Sequence, residues 1–240
     1  MAARHYSVSW LLLAAPFIVV LAVVVYLVYS LAVGGVSAAV SALPLAVALL
    51  YLAGVLGAYT VYTVMKRHAE HEKKMIGFYK VIADYLSSIG LRDIEVVELQ
   101  RIATRLQPSN GSPAREALLA AVFPPYLFYA LHKYNRMLYE YEEKSLEVLT
   151  RLAAIARKHG ISVEIDTRRA VTPRGASTLA ASAVTGGLLA VLWARQLARE
   201  GSLAAERNGK VEAAIAAMLE ALRAERPELL RSQAGVAGSS

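Results

Sequence analysis

No Asp, Glu, Lys or Arg occurs between His5 and Met65. A buried helix or strand of a soluble protein does not need so long a charge-free run, whereas a bilayer does. The run divides at Gly34-Gly35-Val36-Ser37-Ala38-Ala39, an uncharged break. Before it, residues 10–33 would extend about 36 Å as a helix, longer than the roughly 30 Å hydrocarbon slab. The apolar core of a signal peptide is shorter, about 7–15 residues, although the small residues at Ser37–Ala42 would suit a cleavage site. After the break, residues 44–65 form a second apolar stretch. The two spans predict a transmembrane helical hairpin over residues 1–65 with a short outer loop. Arg4 precedes it, and Lys66, Arg67, Lys73 and Lys74 follow it. Bases at both ends place both ends, the N-terminus included, in the cytoplasm.

Composition agrees with a multi-pass protein of the cell membrane. Of the 240 residues, 56% are hydrophobic, and the mean hydropathy is +0.41. The net charge of +7 would suggest nucleic acid on a soluble chain. Here the excess bases adjoin apolar segments and no nucleic-acid-reading motif accompanies them. The expected partners are therefore the lipid bilayer and its anionic head groups, not nucleic acid. Without cysteine there is no disulfide framework and no thiolate site.

The rest of the chain predicts an all-α protein, with further membrane-embedded helices and amphipathic cytoplasmic ones. Residues 66–113 form cytoplasmic helices and a linker. Met75, Tyr79, Ile82, Leu86 and Ile89 recur at 4-3-4-3 spacing on a helix that Gly90 ends. A second helix starts at Asp93 as N-cap and turns Val96, Leu99, Ala103 and Leu106 to one face. Pro108–Pro113 is a turn-rich linker.

Residues 114–160 hold a short apolar segment, Ala117–Leu131, interrupted at Pro124-Pro125. Its 15 residues would reach about 22 Å as helix, less than a full span. A kinked span, a re-entrant segment and a buried soluble helix remain open. Then Tyr134, Leu138, Tyr141, Ser145, Val148, Leu152 and Ile155 keep an unbroken heptad alternation up to Gly160, the strongest coiled-coil pattern in the chain. Tyr134, Leu138, Tyr141, Val148, Leu152 and Ile155 are the expected interaction residues, pairing with other helices of the chain, with a second copy or with a membrane-protein partner.

Residues 161–225 run from a short alternating stretch, 161–165, through a basic connector to a last apolar segment, 176–194, and an amphipathic helix, Asn208–Leu222. Residues 226–240 are expected to be disordered. Two small-xxx-small pairs, Ala53/Gly57 and Ala183/Gly187, suit close helix packing, although Ala and Gly are common in membrane helices.

Aligning Gly57-Ala58-Tyr59 with Pro124-Pro125-Tyr126 and Gly186-Gly187-Leu188 brings Lys66, Lys133 and Arg195 into register. That is a candidate internal repeat: apolar entry, helix-bending break, basic anchor and charged helix. The residues Gly57-Ala58-Tyr59-Thr60-Val61-Tyr62 and Lys66-Arg67-His68-Ala69-Glu70-His71 resemble the span exits of an uncharacterised archaeal multi-pass membrane protein family, a domain of unknown function. The resemblance covers about a third of the chain and implies membrane location and no particular chemistry.

Charge frames the topology. In residues 66–115, 132–176 and 195–240 alike, Lys and Arg outnumber Asp and Glu. If segments 117–131 and 176–194 each crossed once, the basic stretch 132–176 would lie outside, against the positive-inside preference. If each dips in and returns, all charged parts stay inside. Long loops weaken the preference, so both arrangements stand.

Chemistry is sparse. His68, His71 and Glu72 share one side of a helix and are the candidate metal ligands, with a solvated basic helix start as the alternative. Glu140, Glu142 and Glu143 read as solvated flanks, with Glu140–Lys144 as an i, i+4 pair. Phosphate-loop, dinucleotide and nucleophile-elbow motifs are missing, and no cofactor is implied. The two predicted spans carry no charge, unlike the relays of pumps. The expected function is a membrane scaffold or assembly protein acting through its heptad helices. A small channel built on the breaks at Pro124-Pro125 and Gly186-Gly187 is the alternative, and a metal-dependent membrane enzyme the third reading.

Overall fold

A computed structural model describes residues 9–225 except 92, 110, 162–165 and 186. The expectations for Arg4, for the alternating stretch at 162–165, for Gly186 and for the tail 226–240 lie outside the described residues. Within them the protein is all-α, with no strand.

Helix α1, Trp10–Ser88, is two arms joined at Gly35, whose φ of 68° and ψ of −162° break the helical path. Only glycine takes that conformation without strain. The arms fold back on each other: the Thr60 hydroxyl donates to the Leu12 carbonyl at 3.0 Å, and Leu13, Ala14 and Phe17 share a core with Val61, Val64 and Met65. By length and composition α1 can cross a membrane. The second arm starts at residue 36, ahead of the expected Pro44. Pro44 removes one hydrogen bond but the helix continues through it and on to Ser88 without a boundary at residue 65. The arm ends at Gly90, with φ of 77°.

Helix α2, Ile94–Arg105, buries Val96, Leu99 and Ala103. The Asp93 carboxylate does not cap it. It faces Lys158 and His159 instead, at 3.1 and 2.8 Å.

Helix α3, Pro113–Val122, is capped by the Ser112 hydroxyl, which accepts from Arg115 N. The chain turns at Phe123-Pro124-Pro125 and returns as α4, Tyr126–Lys158. Helices α3 and α4 form a hairpin. The Glu116 carboxylate bridges its arms, accepting from Lys133 at 2.7 Å and from the Tyr126 hydroxyl.

The hairpin's depth is fixed by its neighbours. Its base, Ser109, lies on Glu72. Its tip lies on Gly54, where an added Cβ would sit 3.2 Å from the Ala121 carbonyl and 3.3 Å from Pro124. Helix α4 then descends parallel to the second arm of α1, with Leu127 on Gly57, Tyr141 on His71 and Ser145 on Tyr79.

The next two helices repeat the plan. Helix α5, Ala176–Val184, rises from a linker held on Asn135 and ends at Thr185, and Gly187 lies in the turn that follows. Gly187, φ 96°, lies on the backbone of Phe17. Helix α6, Leu188–Glu225, returns past His132 and runs unbroken to the end of the described chain. The last apolar segment is thus broken inside, and Asn208–Leu222 belongs to the same helix that begins at Leu188, not to a separate short one. Since Leu12 pairs with Thr60, Phe17 sits level with residue 55 of the other arm. Both hairpin tips therefore reach the same height.

Below the tips, α1, α2, α4 and α6 share a core that includes Tyr79, Leu86, Leu99, Leu149, Leu152, Ile155, Ile215 and Met218. Above them, among the described residues, the two arms of α1 stand alone. There Val25, Val28, Tyr29, Val33, Val36 and Val40 are all more than half exposed.

Candidate functional site

The expected heptad stripe of α4 is consumed inside the chain. Tyr134, Leu138, Tyr141, Val148, Leu152 and Ile155 are all buried, the last three at 0% exposure, against α1, α2 and α6. They are core positions, and a partner has no access to them. The pattern of a coiled coil and that of a core helix in a bundle are the same 3.5-residue repeat, so sequence alone could not separate them.

The same stripes carry a buried polar layer where the bundle meets the apolar end. His68 and Glu72 extend the Met75-Tyr79-Ile82 stripe of α1 backwards by the same 3–4 spacing, and both are fully buried. The solvated reading of this helix start is therefore wrong for them. Asn208 likewise extends the Val211-Ile215-Met218-Leu222 stripe of α6, and Glu142 lies one heptad before Leu149 on α4.

Two histidines lie at the centre. His68 makes edge-on ring contacts with Tyr134 and Tyr141, at centroid distances of 6.0 and 5.7 Å. His71 Nε2 faces the Asn208 amide nitrogen at 3.2 Å and the Tyr141 hydroxyl at 3.4 Å. Burial is the main cause that holds each ring neutral. His68 is lowered to about 3 by burial and by His71, and His71 to about 4 by burial and by Lys74. Burial also pushes Tyr79 up to about 12, although its hydroxyl meets Ser145 Oγ at 2.7 Å.

Two carboxylates fasten the linkers. Glu72 accepts from the backbone N–H of Ser109 at 2.9 Å and from its hydroxyl at 3.0 Å, and Lys144 approaches at 3.7 Å. Glu142 accepts from Ala170 N at 2.7 Å, Val171 N at 2.8 Å and Arg207 Nη1 at 2.6 Å. Asn135 adds a third clasp, donating to the Thr172 carbonyl and accepting from Arg174 N. Arg174 in turn grips Glu200 with both guanidinium nitrogens, at 2.6 and 3.0 Å. Buried polar groups must be paired, and here the partners are the linkers that begin the two hairpins.

Three sequence expectations change as a result. Glu142 is not a solvated flank. Glu140 pairs with Arg136 at 2.6 Å, not with Lys144. The metal candidates His68, His71 and Glu72 do not converge: Glu72 is turned to Ser109, and among the described residues no group of three His, Cys, Asp or Glu side chains could hold a metal ion. Of the small-residue pairs, Ala53 is buried and Gly57 is a true close approach, where an added Cβ would run into the Leu127 side chain. Ala183 is exposed, and its neighbour Ser182 is the buried position. Gly187 is buried at the turn, not within a helix.

Sequence reasoning missed Asn135, Glu142, Arg207 and the Glu116–Lys133–Tyr126 bridge. For Asn135 and Glu142 a signal existed: with Leu149 and Ala156 they form a second heptad row beside the first. No family model, curated protein or solved structure matches the chain.

Proposed function

We propose that the protein is a multi-pass membrane scaffold or assembly protein. Helix α1 crosses the bilayer as a hairpin, α3–α4 and α5–α6 enter from the cytoplasmic side and return, and the bundle stands in the cytoplasm. The observation that supports this most is the common height of the two hairpin tips. Gly54, beside the first tip, is 11 positions above Met65, about 16 Å at 1.5 Å per residue, or half the hydrocarbon slab. Dipping hairpins keep every basic segment on one side, as the positive-inside preference asks. Several of their outward residues are apolar: Leu118, Val122, Phe123, Val184 and Leu188 are at least half exposed. Tyr59 and Tyr62 are exposed at the exit, with Lys66 over the Tyr62 ring, an arrangement suited to the aromatic belt and anionic head groups. The resemblance to archaeal multi-pass membrane proteins belongs to the same proposal.

A scaffold fits better than an enzyme because the buried carboxylates are spent on clasping linkers. Assembly with a second copy or a membrane partner then uses the outer faces, since the heptad stripes are filled. A channel has less support: the cavity at the Pro124-Pro125 break, about 270 Å³, is lined by apolar groups such as Val20, Val47, Leu50 and Phe128, and the one where α4 meets both arms of α1 is about 20 Å³, room for about one water.

The protein has no cysteine, so single cysteines at the exposed positions Ser37, Ser112, Thr150 and Ser202 report cleanly to an impermeant thiol reagent. In intact cells only the Ser37 variant labels. Labelling at Thr150 from outside refutes the dipping hairpins. Crosslinking in native membranes traps a species larger than the 25.9 kDa chain, and a monomer alone refutes assembly.

A further inference from the structure

We infer that the protein is a wedge that favours membranes curved convexly toward its bundle. The inference rests on the membrane reading proposed above. Between the levels of Met65 and Gly54, six helical segments lie side by side: both arms of α1, α3, the start of α4, α5 and the start of α6. Above Gly54, among the described residues, only the two arms of α1 continue. Each helix is about 10–12 Å across with its side chains. Four additional segments therefore add on the order of 300–450 Å² of cross-section to one leaflet and none to the other.

The lengths suit a single leaflet. Helix α3 has 10 residues and α5 has nine, about 15 and 14 Å at 1.5 Å per residue. Both end at helix-breaking turns, one at Phe123-Pro124-Pro125 and one that includes Thr185 and Gly187, that reverse the chain instead of carrying it across. The turns are held at that height. Pro124 and Ala121 rest on Gly54, and Gly187 rests on Phe17 and Val20. From below, the linkers are clasped by Glu72, Glu142 and Asn135. The wedge is thus fixed at its thin and its thick ends and cannot slide deeper without breaking buried hydrogen bonds. Its outer surface near the tips, Val122, Phe123 and Val184, is 73, 60 and 87% exposed, so it displaces acyl chains rather than protein. Material inserted into one leaflet spreads that leaflet, and the bilayer relieves the mismatch by bending, the physics by which one-sided amphipathic helices become curvature-sensitive.

The test uses the full chain reconstituted into phosphatidylcholine vesicles containing phosphatidylserine, over a range of diameters. Protein per lipid is read vesicle by vesicle for molecules whose bundle faces outward, and alkaline carbonate extraction is run in parallel. We expect carbonate resistance, and a several-fold higher protein density on the smallest vesicles than on the largest. V122K with F123K, and separately V184K, charge exposed tip residues without touching the core. Each lowers the preference for small vesicles while α1 keeps the protein resistant to extraction. Resistance with a density independent of diameter overturns the wedge and leaves the membrane reading standing. A preference that survives both sets of tip variants also overturns it, because bending then comes from the bundle alone. Release by carbonate removes the membrane reading and the wedge with it.

Discussion

Replacing Glu142 with alanine tests whether the buried clasp holds the second hairpin to the bundle. Glu142 and Arg207 are nearly dry, with side-chain exposures of 3 and 6%, and meet at 2.6 Å. Removing the carboxylate leaves Arg207 charged in the core with, among the described residues, the Arg168 carbonyl to accept from it. Breaking a buried pair from one side costs about 3–5 kcal/mol. The N–H groups of Ala170 and Val171 also lose their acceptor, at about 1–3 kcal/mol each where water cannot replace it. The linker borders solvent, so the ion pair dominates and a loss of about 4 kcal/mol is expected. For a chain of this size that lowers Tm by roughly 8–16 °C. The control is E143A. Glu143 faces Arg169 at 3.5 Å with both side chains about half exposed, and such a pair contributes about 0–1 kcal/mol. Thermal unfolding is followed by circular dichroism in nanodiscs. The double variant Glu142→Met, Arg207→Met removes the stranded charge and recovers part of the loss. Equal Tm shifts for E142A and E143A would refute the clasp.

Three further outcomes follow from the same geometry. Gly57→Val drives a side chain into Leu127 and costs about 1–3 kcal/mol by overpacking; adding Leu127→Ala relieves it, and a Gly57 variant as stable as the parent contradicts the close approach. Leu152→Ala lowers stability by about 2–5 kcal/mol through a core cavity and leaves the crosslinked assembly intact wherever the chain folds, whereas selective loss of assembly at unchanged Tm would return Leu152 to an interface. Stability falls on acidification. The folded pKa values of His68 and His71 are lowered to about 3 and 4, against about 6.5 unfolded. Between pH 6.5 and 4 the unfolded chain binds more protons, so stability is flat above pH 6.5 and declines below it, by about 4 kcal/mol at pH 5 for the two together. His68→Phe flattens the decline to about half, and a Tm constant from pH 7 to 5 argues against buried neutral histidines.

The sequence carried the all-helical class, the break at Gly34-Gly35, the stops at Gly90 and Gly160, and the apolar faces of the helices. Each is a local property. Gly35, Gly90 and Gly160 sit at positive φ, which other residues rarely adopt, and a 3–4 repeat of apolar side chains makes one face of a helix whatever it packs on. What covers that face is not local. Tyr141, Leu152 and Ile155 read the same whether a second copy or the chain's own α1 and α6 fill the seam, and only the tertiary structure decided for the latter. Where the turn lies along α1 was undecided too: 15 apolar residues with two prolines fit many placements, and contacts to Gly54 from 66 or more positions away set it. Burial of Glu72 and Glu142 was hidden for a related reason. A carboxylate becomes an affordable core group only when backbone N–H groups from a distant linker reach it, and those partners, at Ser109, Ala170 and Val171, are brought there by the fold and not by their place in the sequence.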